Sequence, residues 1–255
     1  MLAAERRRAI ARAVASRPSV RTEELAAEFG VSGETIRRDL LALDAAGELS
    51  RVYGGATPAD SVRRRLSEGT FADREHTNVE AKRRIAAAAA GQLEDGLTVS
   101  IDVGTTMLEL ARALPAQWRG RVLTNSLLVA AEVADRPDVE LVVSGGAIRA
   151  GDLACSGARA AALFSDYYAD IAFLASGGID AKVGLSDYYP AEVDVRKVML
   201  THSARSVVLA DSTKIGVIAP RRVCGLDEIG QLVTDTVLPA AVAAALEPSR
   251  VLVAA

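Results

Sequence analysis

From residue 97 onward one pattern recurs, and it leaves little choice of fold. Short apolar runs end in Gly, Asp, Asn or Ser, and each leads into a segment with helical spacing. "LTVSID" precedes "TMLELARAL", and "RVLTN" precedes "LLVAAEVA". "VELVVSGG", "IAFLASGG" and "SVVLAD" continue the series, and "IGQLVTD" and "RVLVAA" close it. An Ala-rich helix, "VEAKRRIAAAAAGQL", stands just before the first run. This β-α-β-α rhythm predicts a parallel sheet covered by helices.

The front of the chain is built differently. Ala3 to Ala15 reads as a helix with Ile10 and Val14 on one face, and Arg17-Pro18-Ser19 breaks it. Thr22 is a candidate N-cap for a second helix, "EELAAEF", which Gly30 closes. Ser32 can cap a third helix, in which Ile36, Leu40 and Leu43 recur at helical spacing. After Gly47, "LSRVYGG" reads as a short hairpin ending in two glycines. Helix, helix, tight turn, helix and hairpin within about 55 residues is the outline of a winged helix-turn-helix. The fold class is therefore α/β: a winged helix-turn-helix over residues 1–57, a weakly patterned linker over 58–72, and a parallel α/β domain over 73–255.

Charge is unevenly spread along the chain. Residues 1–90 hold 16 Lys and Arg against 13 Asp and Glu, while residues 91–255 hold 14 against 20. A chain basic in front and acidic behind can touch a polyanion with its front only. No apolar run is long enough to span a membrane, and "IARAVA" is too short and too interrupted by Arg for a secretory signal. A soluble, cytoplasmic protein is expected, with Cys155 and Cys224 as reduced core residues. Two His and two Cys, all far apart, offer no metal-ligand spacing.

The third helix carries Arg37 and Arg38 side by side in its second turn. A helix entering the major groove presents its first turns to the bases. A guanidinium there can fork onto guanine O6 and N7 or clamp a phosphate. Ser32, Glu34 and Thr35 can reach base edges or phosphate oxygens, and Arg51 stands on the hairpin. Asp39 is expected to turn away from the DNA and hold one of the two arginines.

At this stretch the sequence resembles the DeoR family of bacterial transcription regulators. "VSGETIRRDL" followed by "GELSRVYGGA" is close to that family's N-terminal signature. "FADREHTNVEAKRRIA" resembles its linker helix, and "DVGTT", "TNSLLVA", "SGG", "GGID", "DSTKIG" and "VTD" resemble successive motifs of its sensor domain. That domain is similar in fold to ribose-5-phosphate isomerase and the CoA transferases. The resemblance implies operator DNA as one partner and a phosphorylated sugar as the effector.

The loops of the second domain carry their own chemistry. Asp102-Val103-Gly104-Thr105-Thr106 lies where a strand meets a helix. Gly104 lets the backbone approach a ligand, and the amides and hydroxyls of Thr105 and Thr106 face a helix N-terminus, an anion site. Thr124-Asn125-Ser126 repeats that position after the next strand, and Asp211-Ser212-Thr213-Lys214 repeats it again with a cation. Ligands of open α/β sheets sit beyond the carboxyl ends of the strands. Lys214 can then pair with a phosphate, and Asp102 and Asn125 can bind hydroxyls. Gly177, Gly178 and Asp180 either form another wall or, for Asp180, cap a turn. Tyr188 and Tyr189 in "LSDYYPAEVD" shape either the pocket or an interface.

The isomerase that this domain resembles carries an acid-rich motif at one strand end, where this chain reads "ASGGID" and lacks most of the acids that general acid–base chemistry needs. Glu192 and Asp194 have no visible partner in the sequence, and no nucleophile–His pair is available. The pocket is read as a sensor without catalytic residues, metal or cofactor; the alternative is a sugar-phosphate isomerase fused to a DNA-binding module. One helix-turn-helix makes few base contacts, so a homo-oligomeric repressor of sugar-metabolism genes is expected.

Overall fold

The computed structural model describes residues 3–17, 20–46, 48–52, 54–58 and 67–254. The chain divides into two units, Met1–Ser67 and Glu68–Ala255. The expected linker at 58–72 falls largely on 59–66, outside the described residues, while Glu68 and the residues after it belong to the second unit.

The first unit runs α1 (Ala3–Ala15), β1 (Val20–Arg21), α2 (Thr22–Phe29), α3 (Gly33–Ala45), β2 (Leu49–Val52) and β3 (Gly55–Pro58). Ile10 and Val14 of α1, Leu25 of α2, and Ile36, Leu40 and Leu43 of α3 meet Leu49 and Ala56 in one small core. The strands form an antiparallel sheet in the order β1-β3-β2. Of the two glycines expected to end the hairpin, Gly54 lies in its turn with φ 82° and Gly55 begins β3 opposite Val52, because the chain returns. At Gly55 a Cβ would stand 2.1 Å from the Val20 carbonyl oxygen, so only glycine lets β1 close on β3. The same pairing corrects the start of α2. Arg21 is held extended opposite Gly55, the helix begins at Thr22, and Thr22 is buried rather than capping. The Glu24 carboxylate accepts from the Arg21 amide at 3.2 Å in its place.

The second unit begins with α4 (Phe71–His76) and α5 (Val79–Ala90). Then follow β4 (Thr98–Ile101), α6 (Thr105–Ala113), β5 (Gly120–Thr124), α7 (Leu127–Val133) and β6 (Val139–Val143). A two-stranded excursion, β7 (Ala147–Arg149) and β8 (Ala154–Ser156), leads to α8 (Ala158–Asp166) and β9 (Ala169–Leu174). Strands β10 (Gly178–Asp180) and β11 (Gly184–Asp187) precede α9 (Pro190–Thr201) and β12 (Ser203–Leu209). The unit closes with β13 (Arg221–Cys224), β14 (Gln231–Thr234), α10 (Ala240–Ala243) and β15 (Val251–Val253).

Seven strands make one parallel sheet in the order β15-β14-β12-β9-β4-β5-β6. Alternate residues go to opposite cores, as a period of two requires. Ile171 and Phe173 of β9 join Val99, Ile101 and Val207 beneath α5 and α6, whereas Ala172 and Leu174 join Leu123 and Val208 beneath α8 and α9. Both faces are covered, so the strands read as unbroken apolar runs. The antiparallel pieces, β7-β8 and β10-β11-β13, were not expected from the sequence. Their segments are three or four residues long and rich in Gly and polar side chains, so they lack the apolar run that marks a buried strand. Cys155 and Cys224 are free and buried, and burial, with Glu228 nearby, pushes the Cys224 thiol up to about 12.

Candidate functional site

The exposed stripe of α3 comprises Glu34, Arg37, Arg38 and Leu41, opposite buried Ile36, Leu40 and Leu43. Ser32 caps the helix: its Oγ accepts from the Thr35 amide at 3.2 Å and lies 2.9 Å from Thr35 Oγ1. Glu34 reaches both arginines, with Oε2 3.4 Å from Arg37 Nη1 and Oε1 3.7 Å from Arg38 Nε. The side chains of Arg37 and Arg38 stay 61% and 79% exposed, so both remain available to a polyanion. Asp39 corrects the expectation made for it. It is buried, and it holds Arg6 at 2.6 Å and Arg7 at 3.0 Å on α1 rather than either neighbour. The reason is helical phase: Asp39 lies beside Ile36, Leu40 and Leu43, on the core side of α3. The side chain of Arg51 lies outside the described residues.

In the second unit β4 leads to β5 and β6 on one side, and β9, β12, β14 and β15 lie on the other. The order reverses between β4 and β9, and the crevice beyond such a reversal is where open sheets bind ligands. Asp102 stands at the end of β4, wholly buried. Its Oδ2 accepts from the Ala175 amide at 3.0 Å, which ties the ends of the two strands together. Gly104 follows with φ 132°, a conformation closed to ordinary L residues, and no side chain caps α6 behind it. Thr105 and Thr106 open that helix, both buried.

Beneath this rim lies Arg196, the largest fully buried side chain described. Its Nε donates to Asp102 Oδ2 at 2.5 Å and its Nη1 to Asp187 Oδ2 at 2.6 Å. Burial works against its charge, but the two carboxylates outweigh burial and hold the guanidinium firmly protonated. A second system adjoins it. Arg149 donates to Glu192 at 2.5 Å and to Asp152 at 2.9 Å, and stacks 3.7 Å from the centre of the Tyr189 ring. Glu192 therefore has a partner, Arg149, which pairing across 43 residues had hidden from the sequence. Burial nonetheless raises its pKa, with Arg149 acting in opposition. Tyr189 belongs to this crevice through Arg149.

A third system carries two partly exposed cations, Arg74 and Lys214, and one buried one, Lys82. Arg74 Nη1 stands 3.3 Å from Glu68, Nη2 donates to Asp152, and Nε donates to the Gly69 carbonyl at 3.0 Å. Lys214 Nζ lies 3.5 Å from the same Glu68 oxygen. Lys82 is almost fully buried, donates to the Arg74 carbonyl, and has its pKa lowered by burial against the attraction of Asp211.

The remaining expected residues divide by what they touch. Thr124 Oγ1 donates to the Ile101 carbonyl at 2.7 Å and accepts from the Ser126 amide, and Ser126 caps α7 through the Val129 amide, so both shape the loop. Asn125 Nδ2 donates to the Cys155 carbonyl at 3.1 Å, but its Oδ1 is buried with no partner. Asp102 Oδ1 and Ser176 Oγ are buried orphans as well. Gly177 and Gly178 permit close packing: Cβ atoms there would stand 2.9 Å from Asp187 Cα and 2.4 Å from the Val217 carbonyl oxygen. Asp180 Oδ1 accepts from the amides of Lys182 and Val183, so of its two readings the structure gives it the turn between β10 and β11.

Arg74, Lys82, Arg149, Asp152, Asp187 and Arg196 were missed from the sequence. Two of them carried a legible signal. Lys82 falls in phase with Ile85, Ala86 and Ala89 on the buried stripe of α5. Arg196, with Glu192, falls in phase with Val195 and Met199 on that of α9. A charge on a helix's apolar stripe must find a buried partner or a ligand.

A helix-turn-helix unit with two exposed arginines, joined to a sheet whose strand ends gather cations and unpartnered acceptors, defines a ligand-responsive DNA-binding regulator. The DeoR C terminal sensor domain model matches residues 77–236, and the DeoR-like helix-turn-helix domain model matches residues 6–62. The chain belongs to the DeoR family of transcriptional regulators. The HTH-type transcriptional repressor CsqR of Escherichia coli is 34% identical over 93% of this chain and 90% of its own. The glycerol-3-phosphate regulon repressor of the same organism is 32% identical over 88% of this chain and 87% of its own. The solved ribose 5-phosphate isomerase of Methanocaldococcus jannaschii matches with TM-score 0.41 at 17% identity, covering 55% of each chain. Among the described residues no helix is long and apolar enough to cross a membrane.

Proposed function

We propose that the chain is a repressor of sugar-metabolism genes whose operator affinity is set by a phosphorylated sugar or polyol. One arrangement carries this reading. Two partly exposed cations, Arg74 and Lys214, stand at the same end of the sheet as three buried orphans, Asp102 Oδ1, Asn125 Oδ1 and Ser176 Oγ. The cations suit a phosphate, and the orphans suit hydroxyls, because an unmet buried acceptor costs about 1–3 kcal/mol until a donor arrives. A relative whose name specifies the glycerol-3-phosphate regulon supports the ligand class. Gly104, Thr105 and Thr106 add backbone amides at an uncapped helix start.

The site binds without reacting. Asp102, Asp187, Asp152 and Glu192 are all engaged by Arg196, Arg149 or Arg74, so these carboxylates are committed to ion pairs rather than to moving protons. The protein acts as a homo-oligomer, since repeated half-sites supply the contacts one recognition helix lacks. DNA contact falls to residues 1–57, with Arg37 and Arg38 foremost and Ser32, Glu34, Thr35 and Arg51 around them, and ligand binding to the unit from Glu68 on.

The test is an anisotropy titration on operator DNA. Glycerol 3-phosphate and a panel of sugar phosphates are compared with their unphosphorylated parents, for wild type and Lys214→Ala. Phosphorylated ligands are expected to change DNA affinity, and the variant to keep DNA binding but lose the response. A response to free sugars alone, or an unaltered response in Lys214→Ala, removes phosphate from the reading. Turnover of ribose 5-phosphate would restore the isomerase alternative.

A further inference from the structure

The cation pair of the second unit is already filled by the protein itself. Glu68 Oε1 lies 3.3 Å from Arg74 Nη1 and 3.5 Å from Lys214 Nζ, with its side chain only 11% exposed. Arg74 is built as a receptor: Nε is fixed on the Gly69 carbonyl, Nη2 on Asp152, and the third edge is aimed at Glu68. Glu68 is also the first residue of its unit, bonded directly to Ser67, the last residue of the other. We propose that the Glu68 carboxylate is an internal stand-in for the effector's phosphate, and that the effector acts by expelling it from between Arg74 and Lys214.

The surroundings of the seat work against the carboxylate's charge. Burial raises the Glu68 pKa, Arg74 and Lys214 do not fully offset it, and Asp187 and Asp152 add repulsion. A phosphate monoester brings up to two charges and three acceptor oxygens against one charge and two oxygens. It therefore gains more from the same two cations. Expulsion then acts on the residue that joins the two units. The effector's apparent affinity is lowered by the fraction of molecules in which Glu68 is seated.

This inference rests on the phosphate reading of the site, and its test separates the two. Inorganic phosphate is titrated into the full chain by calorimetry, for wild type, Glu68→Gln and Lys214→Ala. Amide exchange of residues 67–70 is followed in wild type with and without phosphate. Glu68→Gln is expected to bind phosphate about tenfold tighter, as when a competitor seated in nine molecules of ten is removed. Phosphate is expected to speed exchange at 67–70 in wild type, a readout that needs no variant to fold. If wild type binds phosphate through Lys214 but Glu68→Gln binds no tighter, the site stands and the stand-in is overturned. Tighter binding without faster exchange means that Glu68 stays seated and acts by charge alone, which also overturns it. No phosphate binding by wild type or Glu68→Gln overturns both readings.

Discussion

Asp39 of α3 accepts from Arg6 of α1 at 2.6 Å, across 33 residues, and this bond fixes α3 to the first helix of the chain. Arg7 adds a second bond to the other carboxylate oxygen at 3.0 Å. The acid beside the exposed arginines thus orients their helix and pairs with neither, leaving Glu34 as their partner.

Asp39→Asn is expected to lower the stability of the first unit by about 1–3 kcal/mol, the range for hydrogen bonds to charged groups. The effect depends on pH. Burial pushes the Asp39 carboxyl up, but the bonds and charges of Arg6 and Arg7 outweigh it and hold the pKa below the ordinary carboxylate range. A depressed carboxylate contributes fully above its unfolded pKa and loses that contribution as pH falls through the folded one. Calorimetric melting of wild type and variant should therefore differ most above pH about 4 and converge below it. A difference that does not change with pH would show that the carboxylate charge contributes nothing.

Arg37→Ala and Arg38→Ala should separate base reading from phosphate contact. Loss of a guanine fork costs about 1–3 kcal/mol on operator and relaxes one base pair. Loss of a phosphate contact weakens all DNA and lowers the salt slope by about one unit. Operator affinity unchanged in both variants at fixed salt would remove α3 from the DNA face.

Removing Arg196 strands two carboxylates in the core. Arg196→Leu is expected to cost about 3–5 kcal/mol in urea unfolding, the range for breaking a buried pair from one side. Adding Asp102→Asn and Asp187→Asn to that variant should recover much of the loss. A single variant as stable as wild type would mean that water already reaches the triad.

Gly104→Ala tests the rim. The new methyl would meet the Ala175 Cβ at 3.5 Å, an ordinary contact, so any cost comes from the backbone at φ 132°. A strained residue of that kind costs about 1–3 kcal/mol. The response of DNA binding to sugar phosphates should weaken, while DNA affinity without ligand should hold. Equal loss of both would mean global damage instead.

Much of this molecule was legible in its sequence, for physical reasons. Buried parallel strands must be apolar throughout, and the core residues of α1 and α3 must recur at helical spacing, so "IAFLAS" and Ile36-Leu40-Leu43 announced themselves. Strand-end loops such as 102–106 and 124–126 were found because the fold puts such loops on one edge. What stayed hidden depended on distance along the chain. Arg196 meets Asp102 across 94 residues and Arg74 meets Asp152 across 78, and no local pattern encodes those pairings. The error over Asp39 had the same root, since its adjacent arginines lay nearer in sequence than its true partners on α1.

The Asp102–Arg196–Asp187 triad carries one cation between two anions, so it leaves a formal negative charge under the end of β4. Arg74 and Lys214, the partly exposed cations of the same unit, carry the opposite sign. On the proposed reading, a sugar carrying phosphates at both ends is expected to bind less tightly than its monophosphate, because the triad's net charge repels the second phosphate. On that reading the buried ion cluster would act as a charge filter beneath the site.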